Sequence, residues 1–133
     1  MNKKIILILV VALFVVLVIF LAFNGGVVPK VLVSDQLIQN NQIVIAQVDA
    51  VAPSWLVIQT ETNGVPGPVI GYTKIKKGTN KNVSVKIDTE KSTPKLFAMI
   101  HEDVGEKDKF DFPNNDMPLY YKGEMISKLF VNR

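Results

Sequence analysis

The sequence predicts an all-β domain, an immunoglobulin-like antiparallel β-sandwich of seven to eight strands, preceded by one N-terminal transmembrane helix. Three observations lead to this fold class. An uninterrupted apolar segment lies near the N-terminus. After residue 26 the chain consists of short segments that alternate or are rich in β-branched residues. Turns rich in Gly, Pro and Asn separate these segments at near-regular spacing, as in sandwiches of this class.

The apolar segment covers residues 5–23, IILILVVALFVVLVIFLAF, and contains no charge, proline or glycine. As a helix it would be about 28 Å long, close to the roughly 30 Å hydrocarbon core of a bilayer. Lys3 and Lys4 precede the segment and the next cation is Lys30. The positive-inside rule therefore predicts a cytoplasmic N-terminus and an extracytoplasmic C-terminal domain in the cell membrane.

The predicted organisation is an anchor helix over residues 1–24, a linker over 25–30 and a β-sandwich over 31–133. Gly25 and Gly26 are expected to end the helix. A cleaved signal peptide is the alternative, because MNKK resembles a charged n-region. The apolar run exceeds the usual ~7–15 residues of a signal sequence and LAFNGGVV is a poor cleavage site. We therefore expect an uncleaved anchor that contacts membrane lipid through residues 5–23.

Eight later segments are predicted strands, in the order KVLVS, QIVIAQVDA, SWLVIQTET, VIGYTKI, NVSVKID, KLFAMIH, KFDFP and MISKLFVNR. NGVPGP and KKGTNKN are predicted turns. In QIVIAQVDA the alternation places Ile43 and Ile45 on one face and Val44 and Val48 on the other. KLFAMIH is apolar on both faces, as expected of a central strand. Trp55, in the third segment, is a predicted core residue.

Composition excludes several function classes. The chain has no cysteine, so it holds no disulfide, thiol nucleophile, iron–sulfur cluster or ordinary blue-copper site. After residue 26, 13 Lys and Arg accompany 12 Asp and Glu, a net charge of +1 that gives no reason to expect nucleic acid as a partner. No serine lies in a G-x-S-x-G turn and no Gly-rich phosphate loop occurs. We expect no enzymatic activity.

The single histidine, His101, follows the apolar strand KLFAMI and precedes an acidic segment. One interpretation is a calcium or zinc site formed by His101, Asp103 and Asp116, with Gln59 across the sheet, since His-x-Asp places both side chains on one face of an extended chain. The other interpretation is structural: His101 and Asp103 shape the following loop, the Asp103 carboxylate accepts a hydrogen bond from the imidazole, and Gly105 permits the tight backbone. A single histidine favours the structural interpretation over zinc, and no resident cofactor is expected.

Two charged segments are further candidates. Residues 102–116 contain six acids and two lysines, a local charge of −4. This density could supply oxygen ligands for calcium, but the EF-hand spacing is absent, and a solvated loop is the simpler interpretation. The lysines of the second segment, Lys74, Lys76, Lys77 and Lys81, could meet anionic headgroups or polymers. They could equally protect an exposed turn and sheet edge against pairing.

These residues resemble a family of small extracytoplasmic β-domains found on archaeal and bacterial envelope proteins. The resemblance covers nearly all of residues 33–131. It rests on six motifs. The first three are a Ser-Asp-Gln opening from Ser34, a W-x-V-I strand from Trp55 and a Gly-Tyr strand from Gly71. The others are GTNKNV from Gly78, an A-M-x-H-x-D-x-G string from Ala98 and an F-x-F-P-x-x-D-x-P turn from Phe110. The family often has a histidine where this chain has Gln59. The resemblance implies fold and location, not a reaction.

The predicted function is that of a membrane-anchored structural or protein-binding module, such as a small accessory subunit of a membrane complex. Its partners would be other envelope or membrane proteins. A subunit of a cell-surface filament with an apolar N-terminal helix is one alternative, although MNKKI lacks the small residue that a pilin-type peptidase needs. A metal-binding periplasmic module is another.

Overall fold

The computed structural model describes residues 1–23 and 26–133, so the predicted helix end at residues 24 and 25 lies outside the described part. One helix, one 3₁₀ turn (Thr89–Lys91) and nine strands follow in chain order. The elements are α1 (Lys3–Phe23), β1 (Lys30–Leu32), β2 (Gln42–Ala50), β3 (Ser54–Thr62), β4 (Val65–Ile75), β5 (Gly78–Lys86), β6 (Lys95–Glu102), β7 (Tyr120–Tyr121), β8 (Glu124–Met125) and β9 (Ser127–Val131).

Helix α1 matches the predicted apolar helix and begins two residues before it, at Lys3. Residues 1–22 are all exposed, and none of the apolar window from Lys3 to Ala22 is buried against the rest of the chain. The helix is long and apolar enough to cross a membrane, a test that N-terminal signal sequences also pass. A helix that is apolar on all sides has no face suited to water, so an apolar environment must cover it.

The strands form an antiparallel β-sandwich, as the sequence predicts. One sheet has the order β1-β2-β5 and the other the order β4-β3-β6-β9. Their facing sides enclose the hydrophobic core, to which the smaller sheet contributes Ile43, Ile45 and Val85. The larger sheet contributes side chains from its two central strands and from β9, namely Leu56, Ile58, Leu96, Ala98, Ile100 and Phe130. All of these side chains are at most 3% exposed.

The strand boundaries differ from the prediction at four places. The predicted turn KKGTNKN is mostly strand, because β5 begins at Gly78 and only Lys76 and Lys77 lie between β4 and β5. The predicted strand KFDFP is a loop, because Phe110 and Phe112 turn onto the larger sheet instead of pairing with a neighbour. The predicted turn NGVPGP is mostly strand, and only Asn63 and Gly64, with φ of 53° and 81°, make the hairpin turn. The predicted closing strand is interrupted, since Tyr120–Met125 forms a separate hairpin (β7–β8) before β9.

The alternation predicted for β2 holds only in its first half. Ile43 and Ile45 are buried, and Val44 is 47% exposed. Val48, which the alternation placed beside Val44, is instead in the core with Ile43, and the last three residues of the strand are all buried. Lys30 pairs with Asp49 at 3.5 Å, so β1 and its lysine cover this end of the strand.

The Ser-Asp-Gln opening joins the two sheets. The Gln36 side chain donates to and accepts from the backbone of Val44, both at 2.9 Å, so it replaces a neighbouring strand at this edge of β2. The Gln36 backbone and the Asp35 carboxylate both bond to the backbone of Val131 on β9. These contacts close the side of the sandwich where β1 and β9 lie.

Candidate functional site

The candidate site lies on the outer face of the larger sheet, opposite the main core. Trp55 and Gln59 of β3 and Met99 and His101 of β6 point to this face, and each is at most 6% exposed. The chain that follows β6, residues 103–118, runs back over them; we call this segment the cover loop. The predicted burial of Trp55 is therefore confirmed, but on this second apolar layer and not in the core between the sheets.

Aromatic contacts hold the cover loop against the sheet. The Phe110 ring lies 4.4 Å from the Tyr72 ring and 5.6 Å from the Trp55 ring, between centroids. The Phe112 ring meets the His101 ring edge-on at 4.9 Å. Edge-to-face pairs add about 0.5–1.5 kcal/mol each beyond the area they bury. These contacts explain why Phe110 and Phe112 lie in a loop although their spacing is that of a strand: each ring packs on a different part of the sheet.

Asp116 gives the cover loop its shape. Its side chain is completely buried, and its carboxylate accepts three backbone N–H groups: Val104 at 3.0 Å, Gly105 at 3.3 Å and Asp111 at 2.8 Å. A buried charge is tolerable only where donors surround it, as they do here. A Cβ on Gly105 would lie 3.0 Å from the Asn115 Cβ, so the closed loop leaves little room for a larger residue.

Lys74 of β4 is the counter-ion of the cover loop. Its ammonium pairs with Asp103 and, at 3.1 Å, with Asp108, and lies 4.6 Å above the Trp55 ring. Desolvation opposes the charge of Lys74, but the hydrogen bonds and attraction of the two carboxylates prevail and raise its pKa above 10.5. The Lys74 hydrogen bond holds the pKa of Asp103 below 3.8, with the Trp55 indole as a smaller contributor.

One buried contact in this group is imperfect. Trp55 Nε1 and Asp103 Oδ1 are both buried, and neither has a hydrogen-bond partner at ordinary geometry. Two buried polar atoms without a partner among the described residues make this the least satisfied point beneath the cover loop.

His101 is fully buried and both ring nitrogens face oxygen atoms. Nδ1 lies 2.7 Å from the Asp116 carbonyl oxygen, and Nε2 lies 3.1 Å from Gln59 Oε1. Gln59 Nε2 donates to the Gly67 carbonyl at 2.6 Å, which fixes the orientation of the amide. A neutral ring has one N–H and satisfies one of the two oxygens. Burial lowers the His101 pKa below 6.5, and the Asp116 carbonyl and charge oppose this shift.

The three proposed metal ligands have separate partners. The His101 ring bonds to Asp116 only through the backbone carbonyl, Asp103 pairs with Lys74, and the Asp116 carboxylate holds loop N–H groups. Within residues 1–23 and 26–133, no three His, Cys, Asp or Glu residues form a group suited to a metal ion. The calcium or zinc site stays a prediction, and these contacts favour the structural interpretation of the same residues.

The structure corrects one hydrogen bond of the structural interpretation. The sequence suggested that the Asp103 carboxylate accepts from the His101 ring. The ring reaches Asp116 and Gln59 instead, and Asp103 turns to Lys74. The reason is that Lys74 offers a full positive charge to a carboxylate only 5% exposed, which a neutral imidazole cannot match.

In each of the two charged segments, some side chains are exposed to solvent and others contact the protein. In the acidic segment Glu102, Glu106 and Asp108 are exposed, whereas Asp111 is partly buried and its pKa is lowered by the Asn114 and Asn115 amides. In the basic segment Lys76, Lys77 and Lys81 are exposed. Lys74 does not belong with them, because it faces the cover loop.

Sequence reasoning missed Lys74 as a site residue. The local signal is limited to the strand alternation, which places Tyr72 and Lys74 on one face of β4. The identity of that partner depends on the path of a loop almost thirty residues later, which local pattern does not contain.

The chain was compared with known proteins. A family model described as a domain of unknown function (DUF7282) matches residues 29–131, which is the sandwich with the cover loop and without α1. No curated protein matches the chain. No solved structure matches it.

Proposed function

This chain belongs to the DUF7282 family, and we propose that it is a membrane-anchored module whose β-sandwich lies outside the cytoplasm and binds another envelope or membrane protein. The observation that carries the proposal is α1. The helix is apolar throughout and none of its membrane-length window is buried against the sandwich. Lipid is the environment that would cover such a surface, and Lys3 and Lys4 orient the N-terminus toward the cytoplasm.

The sandwich itself supports a structural or binding role and not catalysis. Its one histidine is buried, with both ring nitrogens used in contacts to Asp116 and Gln59. The nearby carboxylates are committed to Lys74 and to loop N–H groups. A general base must reach a substrate proton, and His101 has no exposed surface from which to do so.

We further infer that the sandwich is of immunoglobulin-like type. In the constant-type domain the first, second and fifth strands share one sheet, and the third, sixth and seventh share the other. Here β1, β2 and β5 share one sheet, and β3, β6 and β9 share the other once the β7–β8 hairpin is counted as an insertion. In the constant-type domain the fourth strand pairs with the fifth, whereas here β4 pairs with β3.

Fractionation of cells that express the full chain with a C-terminal tag tests the anchor and its orientation. We expect the protein to remain in the membrane pellet after alkaline carbonate extraction. External protease should remove the tag from cells whose surface layers have been opened. A chain that begins at Val27 is the matched control and should leave the pellet. Recovery of the full chain in the carbonate supernatant, or a tag protected in such cells but digested after lysis, argues against the proposal.

A further inference from the structure

We propose that the end of the sandwich nearest α1 rests on the lipid bilayer, with apolar side chains from separate loops entering the headgroup region. This inference rests on the proposed anchor and adds a defined docking surface to it. The surface consists of Lys30, the loop 51–53, the turn 76–77, residues 102–104 and Met117; we call it the tethered end.

Strand register shows that these segments lie at one end of both sheets. Lys30 opens β1 and pairs with Asp49 near the end of β2, and Ala50 pairs with Gly78, directly after the turn 76–77. In the larger sheet Ser54 pairs with both Ile75 and Glu102. The Glu102 N–H donates to the Met117 carbonyl at 2.9 Å, which places Met117 at the same end.

The chain length limits how far the tethered end can lie from the membrane. Six residues, 24–29, separate the last residue of α1 from Lys30. The seven steps of the chain from Phe23 to Lys30 span at most about 25 Å. Because β1 starts at the tethered end, this end must lie within that distance of the membrane exit of α1. The opposite end, with the β3–β4 turn at Asn63, lies a full strand length further away.

The tethered end exposes apolar side chains in adjoining positions. Val51 is 38% exposed, Met117 47% and Val104 62%. A notch of about 100 Å³ lined by Val51, Pro53 and Val104 shows that the two loops touch. Lys76 and Pro53 line a neighbouring depression, so the lysine turn continues the same surface. Apolar tips that come from several loops at one end of the domain suit the boundary between headgroups and acyl chains.

The exposed lysines of the tethered end can attract lipid phosphate groups, but they are few. Lys76 and Lys77 are exposed, and the buried Asn80 side chain holds their turn by bonding to the backbone N–H and C=O of Lys76. Glu102 is an exposed acid at the same end, and Lys30 is paired with Asp49. Burial of the apolar tips therefore provides most of the attraction, and anionic lipid strengthens it modestly.

Depth-dependent fluorescence quenching tests the surface on the full chain, which has no cysteine, so that single labels are clean. The probes are Val51→Cys and Val104→Cys at the tethered end, each carrying one fluorophore. Val65→Cys is the matched control, because it is 58% exposed and lies at the β3–β4 turn. Leu13→Cys reports α1. Each variant is placed in phosphatidylcholine nanodiscs that contain lipid with a nitroxide on the headgroup or on the acyl chain.

We expect headgroup nitroxide to quench the labels at residues 51 and 104 several-fold more than the label at 65, and acyl-chain nitroxide to quench the label at 13. Quenching at 51 and 104 that equals the level at 65, with residue 13 still quenched, overturns the docking surface and leaves the anchor intact. A label at 13 that is not quenched overturns the anchor, and the docking surface with it.

Discussion

Gln59 Oε1 lies 3.1 Å from His101 Nε2, so these two buried side chains meet across the two central strands of the larger sheet beneath the cover loop. The same amide donates to the Gly67 carbonyl on β4. One glutamine side chain thereby connects three neighbouring strands on a face that is closed to water.

The Gln59 contact is expected to contribute to stability. Gln59→Leu keeps the size of the side chain but leaves the carbonyl of Gly67 without its donor. A buried polar group without its partner costs about 1–3 kcal/mol, so we expect a loss in that range. Urea denaturation of the full chain in detergent, followed by the fluorescence of the single tryptophan, measures it. Gln39→Leu, at an exposed site, is the control; equal losses in both variants contradict the assignment.

Stability should fall on mild acidification because of His101. Its folded pKa lies below the unfolded value of 6.5, so the unfolded chain binds the proton more readily. The contribution of the neutral ring is therefore complete above pH 6.5 and declines as the pH falls below it. Thermal melting at pH 7.5 and pH 5 shows the decline, and His101→Gln should reduce it. An undiminished decline in the variant places its source elsewhere.

The Lys74–Asp103 pair is expected to fasten the cover loop. Lys74→Met leaves a carboxylate that is 5% exposed without its cation, and we expect a loss of about 1–2 kcal/mol, limited because Lys74 itself is 30% exposed. The lowered pKa of Asp103 adds stability above pH 3.8 that disappears below it, so wild type and variant should converge in acid. Lys76→Met is the exposed control. A difference that persists at low pH refutes the electrostatic explanation.

Trp55 should be the costliest single truncation on the outer face. Trp55→Ala removes its ring contacts with Tyr72 and Phe110 and leaves a cavity under the loop. Such changes cost roughly 3–5 kcal/mol, a large part of the stability of a domain this size. Circular dichroism follows the melt, because the fluorescent reporter is lost. Tyr120→Ala, at a side chain 62% exposed, is the control. A variant that melts as wild type does places Trp55 outside any packed layer.

Metal addition distinguishes the two interpretations of His101, Asp103 and Asp116. Since each side chain already has a protein partner, we expect calcium, zinc and EDTA to leave the melting temperature unchanged. A bound ion at a hundredfold excess over its dissociation constant would add about 2.7 kcal/mol. A metal-dependent rise that Asp103→Asn abolishes would restore the metal site.

Sequence patterns were sufficient for most of the sandwich. Two strands could be located from their residue types. β5 contains the alternating Val83 and Val85, followed by Ile87, and β6 is apolar on both faces. Residues on a buried face of a strand are mostly apolar, so the pattern shows where the strand lies. The Asn63–Gly64 turn has the same local origin, although its neighbours Pro66 and Pro68 obscured the strand; proline is tolerated there because β4 is an edge.

The cover loop could not be predicted by these means. Phe110 and Phe112 alternate as they would in a strand, and only their contact with Trp55 and His101 shows that they belong to a loop. The partner of Lys74 is likewise set by tertiary structure. Local periodicity identifies which residues are buried, but it does not identify the distant segment that buries them.

The intact mass of the protein extracted from cell membranes tests the central claim most directly. That claim is that α1 stays attached and anchors the sandwich to the membrane. The account predicts a membrane-bound chain that retains residues 5–23. A mature chain that begins near Asn24 or Gly25 would show that the apolar helix is a cleaved signal sequence, and it would contradict both the anchor and the lipid contact of the tethered end.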